Sequence, residues 1–318
     1  MSALRSVSIA FLLFSNASLQ AEKLVVAYVP NWIDLGRFSR TISYSKLTHI
    51  NIAFENPGDA GGRLSFNKQD DLLIAAAHAK NVKVLVSIGG GSASADEGMR
   101  ARYADLLGDK NRTAFVDGIA AYVSRHGFDG VDVDLEGPAI NGDYAKFVRE
   151  LAAALRPAGK ILTAALSQGY GGNKVPESVF KNYDFVNVMA YDATGNWDPD
   201  RPGQHSSLAF AKSNVAYWLA RGLPQSKIVL GVPFYGSGFG EAYRADDGYS
   251  YAEIVAEYPG AENLDRVGNT IWYNGIPTIE AKTRYIIDAD LAGVMIWSLD
   301  SDVKGGKSLL NAIDRTLR

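Results

Sequence analysis

One pattern repeats through most of this chain: a short apolar run rich in β-branched residues, then a longer segment whose apolar residues have helical spacing. Strands that are apolar on both faces and alternate with helices are typical of a parallel sheet covered by helices. Eight such strands in 318 residues predict one (β/α)₈ barrel, with an open doubly wound sheet as the alternative. The predicted strands are residues 23–29, 47–54, 82–88, 129–136, 161–166, 185–190, 228–232 and 291–297.

The segments between these strands predict the helices. Helical periodicity is found near residues 68–80, 112–125, 143–156, 205–221, 278–289 and 305–317. Gly127, Gly159 and Gly222 follow three of these segments, at the position where glycine commonly ends a helix. Residues 238–272 are predicted to be an irregular insertion in the seventh βα loop, too short for a separate domain. Residues 22–318 are therefore predicted to form one α/β domain, a TIM barrel.

The fourth predicted strand carries an unusual row of acids, because residues 129–136 read DGVDVDLE. Side chains alternate between the two faces of a strand, so Asp132, Asp134 and Glu136 point the same way, about 6.6 Å apart. The opposite face is apolar and has to pack against a core. Carboxyl groups crowded in this way cannot all ionise at their usual pKa, and at least one pKa is raised. A carboxyl group with a raised pKa is suited to act as a general acid.

The ends of the other predicted strands are rich in aromatic residues. In a (β/α)₈ barrel, functional side chains lie where the strands end and the βα loops begin. Aromatic rings there can serve as platforms for the apolar faces of sugar rings, whereas core packing is the alternative for each single ring, above all for Tyr28 and Phe54. The residues at these ends are Tyr28, Trp32, Phe54, Glu136, Tyr191, Asp192, Phe234, Tyr235 and Trp297.

Charge and composition argue against several other classes of protein. The net charge is −3 without a basic cluster, which gives no reason to expect nucleic acid or an anionic membrane surface as a partner. A metal site is the rival explanation for the acids, but calcium loops place their ligands on a glycine-rich turn rather than between valines. Gly89, Gly90 and Gly91 lack the phosphate-loop pattern and predict a close backbone turn instead. Asp129 points to the opposite face from Asp132 and is predicted to bond to the backbone near the start of the strand. We therefore predict neither a metal nor a cofactor.

The first 21 residues resemble a secretory signal peptide. Arg5 precedes a mostly apolar run over residues 7–14, and small and polar residues lead to Ala21, after which cleavage is expected. A buried first helix is the alternative. There is no cysteine in the chain, so neither a disulfide bond nor a lipid anchor on cysteine is available. We expect a secreted or periplasmic monomer that does not stay on the membrane once the signal is removed.

Six segments together resemble glycoside hydrolase family 18, the chitinases and their relatives. The acidic octet matches the family signature D-x-x-D-x-D-x-E, and the other five segments follow in the family's order: residues 47–54, 87–90, 189–192, 231–236 and 293–298. The resemblance implies a glycoside hydrolase that cleaves β-1,4 linkages next to N-acetylglucosamine, in chitin or chitooligosaccharides. It also implies substrate-assisted retention, in which the substrate's own acetamide replaces an enzyme nucleophile.

The resemblance assigns roles to individual residues. Glu136 is implied to be the general acid and base, Asp134 to orient the acetamide, and Asp132 to share a proton beneath it. Tyr191 is implied to contact the acetamide and Asp192 to bind the same sugar. Further substrate contacts are expected from the floor residue Trp297, from Trp197 on the leaving-group side, and from Tyr28, Tyr235, Met189 and Phe54.

Two positions depart from the pattern of many family members. Gly91 stands where many chitinases carry tryptophan, and Ser237 where many carry arginine. With a seventh loop that looks abbreviated, these changes predict an open groove and internal (endo) cleavage. They also keep open an endo-β-N-acetylglucosaminidase that releases N-glycans within their diacetylchitobiose core. A catalytically inactive lectin is a further alternative, although the terminal acid Glu136 is present.

Overall fold

The computed structural model describes residues 22–245, 248–268 and 270–318, so the predicted signal peptide lies outside the described chain. Its strands are β1 Leu24–Pro30, β2 His49–Ala53, β3 Lys83–Gly89, β4 Gly130–Asp134, β5 Ile161–Leu166, β6 Phe185–Val188, β7 Ile228–Pro233, β8 Tyr235–Gly238, β9 Tyr249–Ser250, β10 Arg266–Val267, β11 Ile271–Trp272 and β12 Gly293–Trp297. Strands β1 to β7 and β12 are parallel and close into a barrel, with β12 between β7 and β1. The predicted single-domain barrel is confirmed.

Helices surround this barrel. They are α1 Leu35–Phe38, α2 Asp70–His78, α3 Gly91–Ala95, α4 Glu97–Leu107, α5 Arg112–His126, α6 Tyr144–Leu155, α7 Leu208–Ala220, α8 Tyr251–Glu257, α9 Ile276–Asp288 and α10 Leu309–Leu317. All six predicted helices are found. The short helices α1, α3 and α8 and the longer α4 were not predicted. The residues of α4, EGMRARYADLL, bury only Tyr103, Leu106 and Leu107. Asp96 starts this helix by accepting a hydrogen bond from the backbone N–H of Met99 at 2.6 Å.

The alternation of side chains along each strand separates two apolar cores. The larger core joins the outer faces of the strands to the helices and includes Val131, Val133 and Leu135 of the acidic octet. The smaller core fills the barrel and consists of Val26, Tyr28, Ala53, Ala165, Phe185, Tyr191, Val229 and Met295. Because Asp132 and Asp134 have the opposite parity to the valines, their side chains point into the barrel. The predicted orientation of the acidic row is therefore confirmed.

The chain between β7 and α9 is more regular than predicted. Strands β10, β11, β8 and β9 pair in that order as a small antiparallel sheet, and α8 follows β9 directly. The expectation of an irregular insertion over residues 238–272 was wrong in this respect, because strands of two to four residues are too short to show an alternating pattern. Ser250 caps α8 through a reciprocal capping box with Glu253.

Candidate active site

The acidic row begins deep in the barrel and rises to its open end. Asp132 and Asp134 are buried on β4. The strand ends at Asp134, but the backbone stays extended through Glu136, with φ −125° and ψ 161°. The parity of the row is therefore kept, and Glu136 lies partly exposed above the two aspartates. The order of depth expected from the sequence is the order in the structure.

Asp132 is held by four hydrogen-bond donors, one each from β1, β3, β5 and β6. Its Oδ2 accepts from the hydroxyl groups of Tyr28 at 2.6 Å and Ser87 at 2.8 Å. Its Oδ1 accepts from Thr163 Oγ1 at 2.6 Å and Asn187 Nδ2 at 3.1 Å. Burial raises the pKa of Asp132, while these four bonds act in the opposite direction because they favour the ionised form. Asp132 is thus fixed in position, and its negative charge is stabilised by the four donors.

Asp134 has a very different environment from Asp132. Burial raises its pKa well above the usual value, and the charges of Glu136 and Asp132 raise it further. Its buried Oδ1 has no hydrogen-bond partner among the described residues. A buried carboxyl oxygen without a partner is costly, so it requires either a proton or an incoming polar group. Asp134 is therefore prepared to receive a donor from the cleft.

Glu136 has a raised pKa of about 7. The larger cause is burial, and the second is the negative charge of Asp192. A carboxyl group with this pKa is protonated in about half of the molecules at pH 7 and can therefore donate a proton there. The predicted rise in pKa within the acidic row holds for all three carboxyl groups.

Aromatic rings form a floor on the side of the barrel opposite Glu136. The ring of Trp297 at the end of β12 stacks on Phe54 with centroids 5.8 Å apart and contacts Tyr28 at 5.3 Å. Trp32 extends this floor beyond Phe54, with ring centroids 6.5 Å apart. Tyr28 is only 1% exposed and bonds to Asp132. Tyr28 therefore supports the floor from below, and the structure does not place it on the surface of the cleft as the sequence suggested.

Asp192 lies at the rim with two ring partners. Its backbone has φ +59°, which is unusual for a residue with a side chain. Tyr235 donates a short hydrogen bond to its Oδ1, and Nδ1 of the fully buried His205 lies 3.4 Å from the same oxygen. Neither ring nitrogen of His205 forms a hydrogen bond within the described chain. Asp192 and Tyr235 were predicted to lie at this site, whereas His205 was not.

Three further predicted residues have distinct positions. Tyr191 is buried in the barrel core with its hydroxyl group 3.8 Å from Met295 Sδ, and Met189 packs against the same core. Burial and then the charge of Asp134 raise the pKa of Tyr191 well above its usual value, so its hydroxyl group remains a donor. Trp197 is 61% exposed, and the guanidinium of Arg201 lies 5.6 Å from its ring.

The sequence contained a signal for the residues that hold Asp132. Ser87, Thr163 and Asn187 are each the one polar residue inside an apolar strand core. Ser87 and Thr163 are the register partners of Asp132 on β3 and β5. Residues paired across parallel strands point to the same face, so a polar residue at matching height predicts a contact. Knowing the register is what makes this signal usable.

Two residues outside the acidic row have the structural roles predicted for them. Asp129 accepts a hydrogen bond from the backbone N–H of Val84 at 2.7 Å, and Nε2 of His78 lies 2.8 Å from the same oxygen. At the third loop, Gly90 N donates to the carbonyl of Asp134 at 2.7 Å, so the glycine turn approaches β4 closely. The expected backbone roles are confirmed.

A second pair of buried carboxyl groups lies beside the cleft, after β2. Glu55 accepts hydrogen bonds from Asn31 Nδ2 at 2.8 Å, from the backbone N–H of Asn67 at 2.9 Å, and from the hydroxyl group of Ser65. Asp70, the first residue of α2, is equally buried. Burial first, and then the charge of Glu55, raise the pKa of Asp70 to about 8. Asp70 is therefore mostly protonated at pH 7.

The described residues include neither a cluster of metal ligands nor a membrane-spanning helix. No group of three or more histidine, cysteine, aspartate or glutamate side chains in this part of the chain could hold a metal ion. Over the same residues, no helix combines the length and apolar character needed to cross a bilayer.

A parallel (β/α)₈ barrel with three carboxyl groups ordered by depth on and just after β4 and an aromatic floor is the arrangement of a glycoside hydrolase. The family model "Glycosyl hydrolases family 18" matches residues 24–302. The chain belongs to this family. Among curated relatives, it is 28% identical to Probable chitinase 10 of Drosophila melanogaster, with 70% of this chain aligned but only 12% of the fly protein's length.

Two solved structures are similar over nearly the whole chain. The family 18 chitinase ChiB from the chitin utilization locus of Flavobacterium johnsoniae is 36% identical, with a TM-score of 0.85 and coverage of 93% of this chain and 94% of that one. A Cycas revoluta family 18 chitinase solved in complex with (GlcNAc)3 is 25% identical, with a TM-score of 0.78 and coverage of 92% and 99%.

Proposed function

We propose that this protein is a chitinase: a glycoside hydrolase that cleaves β-1,4 linkages next to N-acetylglucosamine in chitin or chitooligosaccharides, without a cofactor. The observation that carries the proposal is the graded row on β4, with Glu136 at the cleft and a pKa of about 7 above the buried Asp134. The Flavobacterium chitinase, with the same fold over 93% of this chain, supports the choice of substrate.

In the first step, Glu136 donates its proton to the glycosidic oxygen as the bond to the anomeric carbon breaks. The carbonyl oxygen of the substrate's own 2-acetamido group attacks that carbon and forms an oxazolinium ion. Asp134 accepts the acetamide N–H at its unpartnered Oδ1 and stabilises the positive charge that develops. Tyr191 donates to the acetamide, while Asp192 and Tyr235 hold the sugar hydroxyl groups and Trp297 stacks beneath the ring.

In the second step, the ionised Glu136 takes a proton from a water molecule that attacks the anomeric carbon. The oxazolinium opens, and the product retains its original configuration. Asp132 does not touch the substrate. With its four donors it holds the charge below Asp134 constant, while Glu136 regains its proton from the attacking water and is ready for the next cycle.

The test is hydrolysis of a fluorogenic diacetylchitobioside by the wild type, Glu136→Gln, and Glu257→Gln as an exposed control on α8. Glu136→Gln is expected to lower kcat at least a hundredfold, in line with the loss of a general acid, and Glu257→Gln to match the wild type. Equal rates in the wild type and Glu136→Gln would refute the assignment. Binding of chitooligosaccharides without any turnover by the wild type would identify a lectin instead.

Substrate choice and cleavage mode require a second experiment. Soluble chitin oligosaccharides of four to six sugars and a high-mannose glycoprotein are compared as substrates, and the products are separated by mass. The endo-acting chitinase proposed here releases mixed internal fragments from the oligosaccharides. Products from the glycoprotein alone would assign the endo-β-N-acetylglucosaminidase activity, and release of a single fragment from one chain end would exclude endo action.

We also propose that the first 21 residues act as a secretory signal. The mature protein is a secreted or periplasmic monomer. The mass of the protein recovered from the periplasm or medium tests this, because cleavage after Ala21 removes the N-terminal segment. The full-length mass in the cell pellet would contradict export, and a dimer mass in light scattering would contradict the monomer.

A further inference from the structure

Tyr170, in the loop after β5, packs directly on the residue that follows the general acid. Gly137 has φ +49°, and a Cβ atom built on it would lie 2.2 Å from Cζ of Tyr170. No side chain larger than hydrogen fits at residue 137 without displacing this ring. The tyrosine ring therefore occupies the space in which a side chain following Glu136 would otherwise lie.

The position of Tyr170 is built into the loop. Its carbonyl accepts a hydrogen bond from Gly137 N at 3.2 Å. Ser167 Oγ accepts from the backbone N–H groups of Gly169 at 3.2 Å and Tyr170 at 3.0 Å, which closes the turn. A Cβ atom on Gly171, which has φ +83°, would lie 2.6 Å from Gly137 N. The two loops thus meet backbone to backbone, and the ring is oriented by a defined turn.

This ring is nevertheless 52% exposed. Large exposed aromatic side chains at a site of this kind are candidates for ligand contact, because burial against a partner removes apolar surface from water. The order of the strands around the barrel indicates which part of a bound ligand the Tyr170 ring faces. The floor residues Trp297 and Phe54 follow β12 and β2, which neighbour β1, whereas Tyr170 follows β5, beside β4. Glu136 and Tyr170 therefore lie on neighbouring loops, on the side of the barrel away from the floor.

We propose that Tyr170 is a substrate-binding residue that stacks on the sugar of the leaving group, the one that receives the proton from Glu136. The inference rests on the proposed function. The sugar undergoing cleavage lies on the Trp297 side of the acid, so the sugar on the other side of the broken bond lies over the β4 and β5 loops, against the Tyr170 ring. An N-acetylglucosamine ring has an apolar C–H face of the kind that packs on an aromatic ring.

The same contact governs what attacks the oxazolinium ion. An acceptor sugar bound on Tyr170 can replace water: its hydroxyl oxygen bonds to the anomeric carbon, its proton goes to Glu136, and the bond from the anomeric carbon to the acetamide oxygen breaks. The products are then longer oligosaccharides. Loss of the platform therefore lowers the ratio of transfer to hydrolysis as well as the rate of cleavage of long chains.

The experiment compares Tyr170→Ala, Tyr170→Phe and the exposed control Tyr243→Ala on two substrates. The first is chitohexaose, which needs a leaving-group sugar. The second is the oxazoline of diacetylchitobiose, which enters the reaction after the leaving group has departed. Tyr170→Ala is expected to lower kcat/KM for chitohexaose about three- to tenfold, and its transfer products by a similar factor. Oxazoline hydrolysis should be unchanged, and Tyr170→Phe should behave as the wild type on both.

Two results would overturn the inference. An equal loss on both substrates would show that Tyr170 only orients Glu136 through Gly137, because Glu136 serves both reactions. Unchanged chitohexaose cleavage and transfer in Tyr170→Ala would show that no sugar stacks there. Failure of the proposed function looks different, since the wild type itself would then cleave neither chitohexaose nor the oxazoline.

Discussion

The pKa of Glu136 can be tested through the charge of Asp192. The pKa is raised from 4.5 to about 7, which corresponds to about 3 kcal/mol in favour of the protonated form. At pH 7 about half of the molecules carry the proton, whereas a pKa of 4.5 would leave about 0.3%. In Asp192→Asn the charge is removed and the burial remains. Since burial is the larger cause, the pKa should fall but stay above its usual value.

The assay is kcat/KM for a fluorogenic diacetylchitobioside from pH 5 to 9.5, because its alkaline limb reports the acid of the free enzyme. For the wild type, activity should fall about tenfold per pH unit above pH 7 as Glu136 loses its proton. In Asp192→Asn this limb should move to lower pH, whatever happens to the maximal rate. The control is Asp200→Asn, which removes the same charge from an exposed acid in the same loop and should leave the limb in place.

A limb that stays in place or moves to higher pH in Asp192→Asn would refute the reasoning. So would an equal shift in Asp200→Asn, because the effect would then come from the overall charge of the loop. A wild-type rate that stays flat to pH 9.5 would remove Glu136 from the role of general acid altogether.

Three further predictions concern residues at and beside the cleft. Asp134→Asn should lower kcat at least tenfold while the urea midpoint is maintained, because the loss is in transition-state charge; an unaffected kcat would exclude the role. The pKa of Asp70 is raised in the folded state, so the folded protein keeps this proton at pH values where the unfolded chain has lost it. The free energy of unfolding should therefore decrease as pH rises from about 4 to about 8. Asp70→Asn should reduce that slope by up to about 1.4 kcal/mol per pH unit in urea titrations, whereas the exposed Asp71→Asn should retain it. His205→Leu should lower kcat/KM more than His205→Asn, because asparagine keeps a donor near the position of Nδ1. If His205 acts through the Asp192 carboxylate, this difference should disappear in an Asp192→Asn background.

Much of the barrel could be predicted because its signals are local. Each barrel strand is an apolar run that can be recognised without knowing its neighbours, and all eight were found. The helix α4 was missed because it buries only three side chains and has little amphipathic pattern. The small sheet of β8 to β11 was missed because its strands are too short to show an alternating pattern and some of them pair with strands far away in the sequence.

The candidate site divides in the same way. Glu136, Asp134 and Asp132 could be ordered by depth, since strand parity and rise are properties of the backbone itself. The expectation that Tyr28 lines the cleft did not allow for its hydroxyl group reaching Asp132 across the barrel. His205 lies in the turn before α7 and Tyr170 in the loop after β5, and nothing in the neighbouring residues indicates which side chain they meet.

The sequence by itself therefore determined the repeating strand and helix pattern, the parity of the acidic row and the types of residue at the strand ends. These depend on the geometry of a single strand and on side-chain chemistry. Only the tertiary structure decided the pKa values, the four donors around Asp132 and the contact of Tyr170 with Gly137. Each of these depends on burial or on atoms from loops and strands far apart in the chain, and closing the barrel is what brings them together.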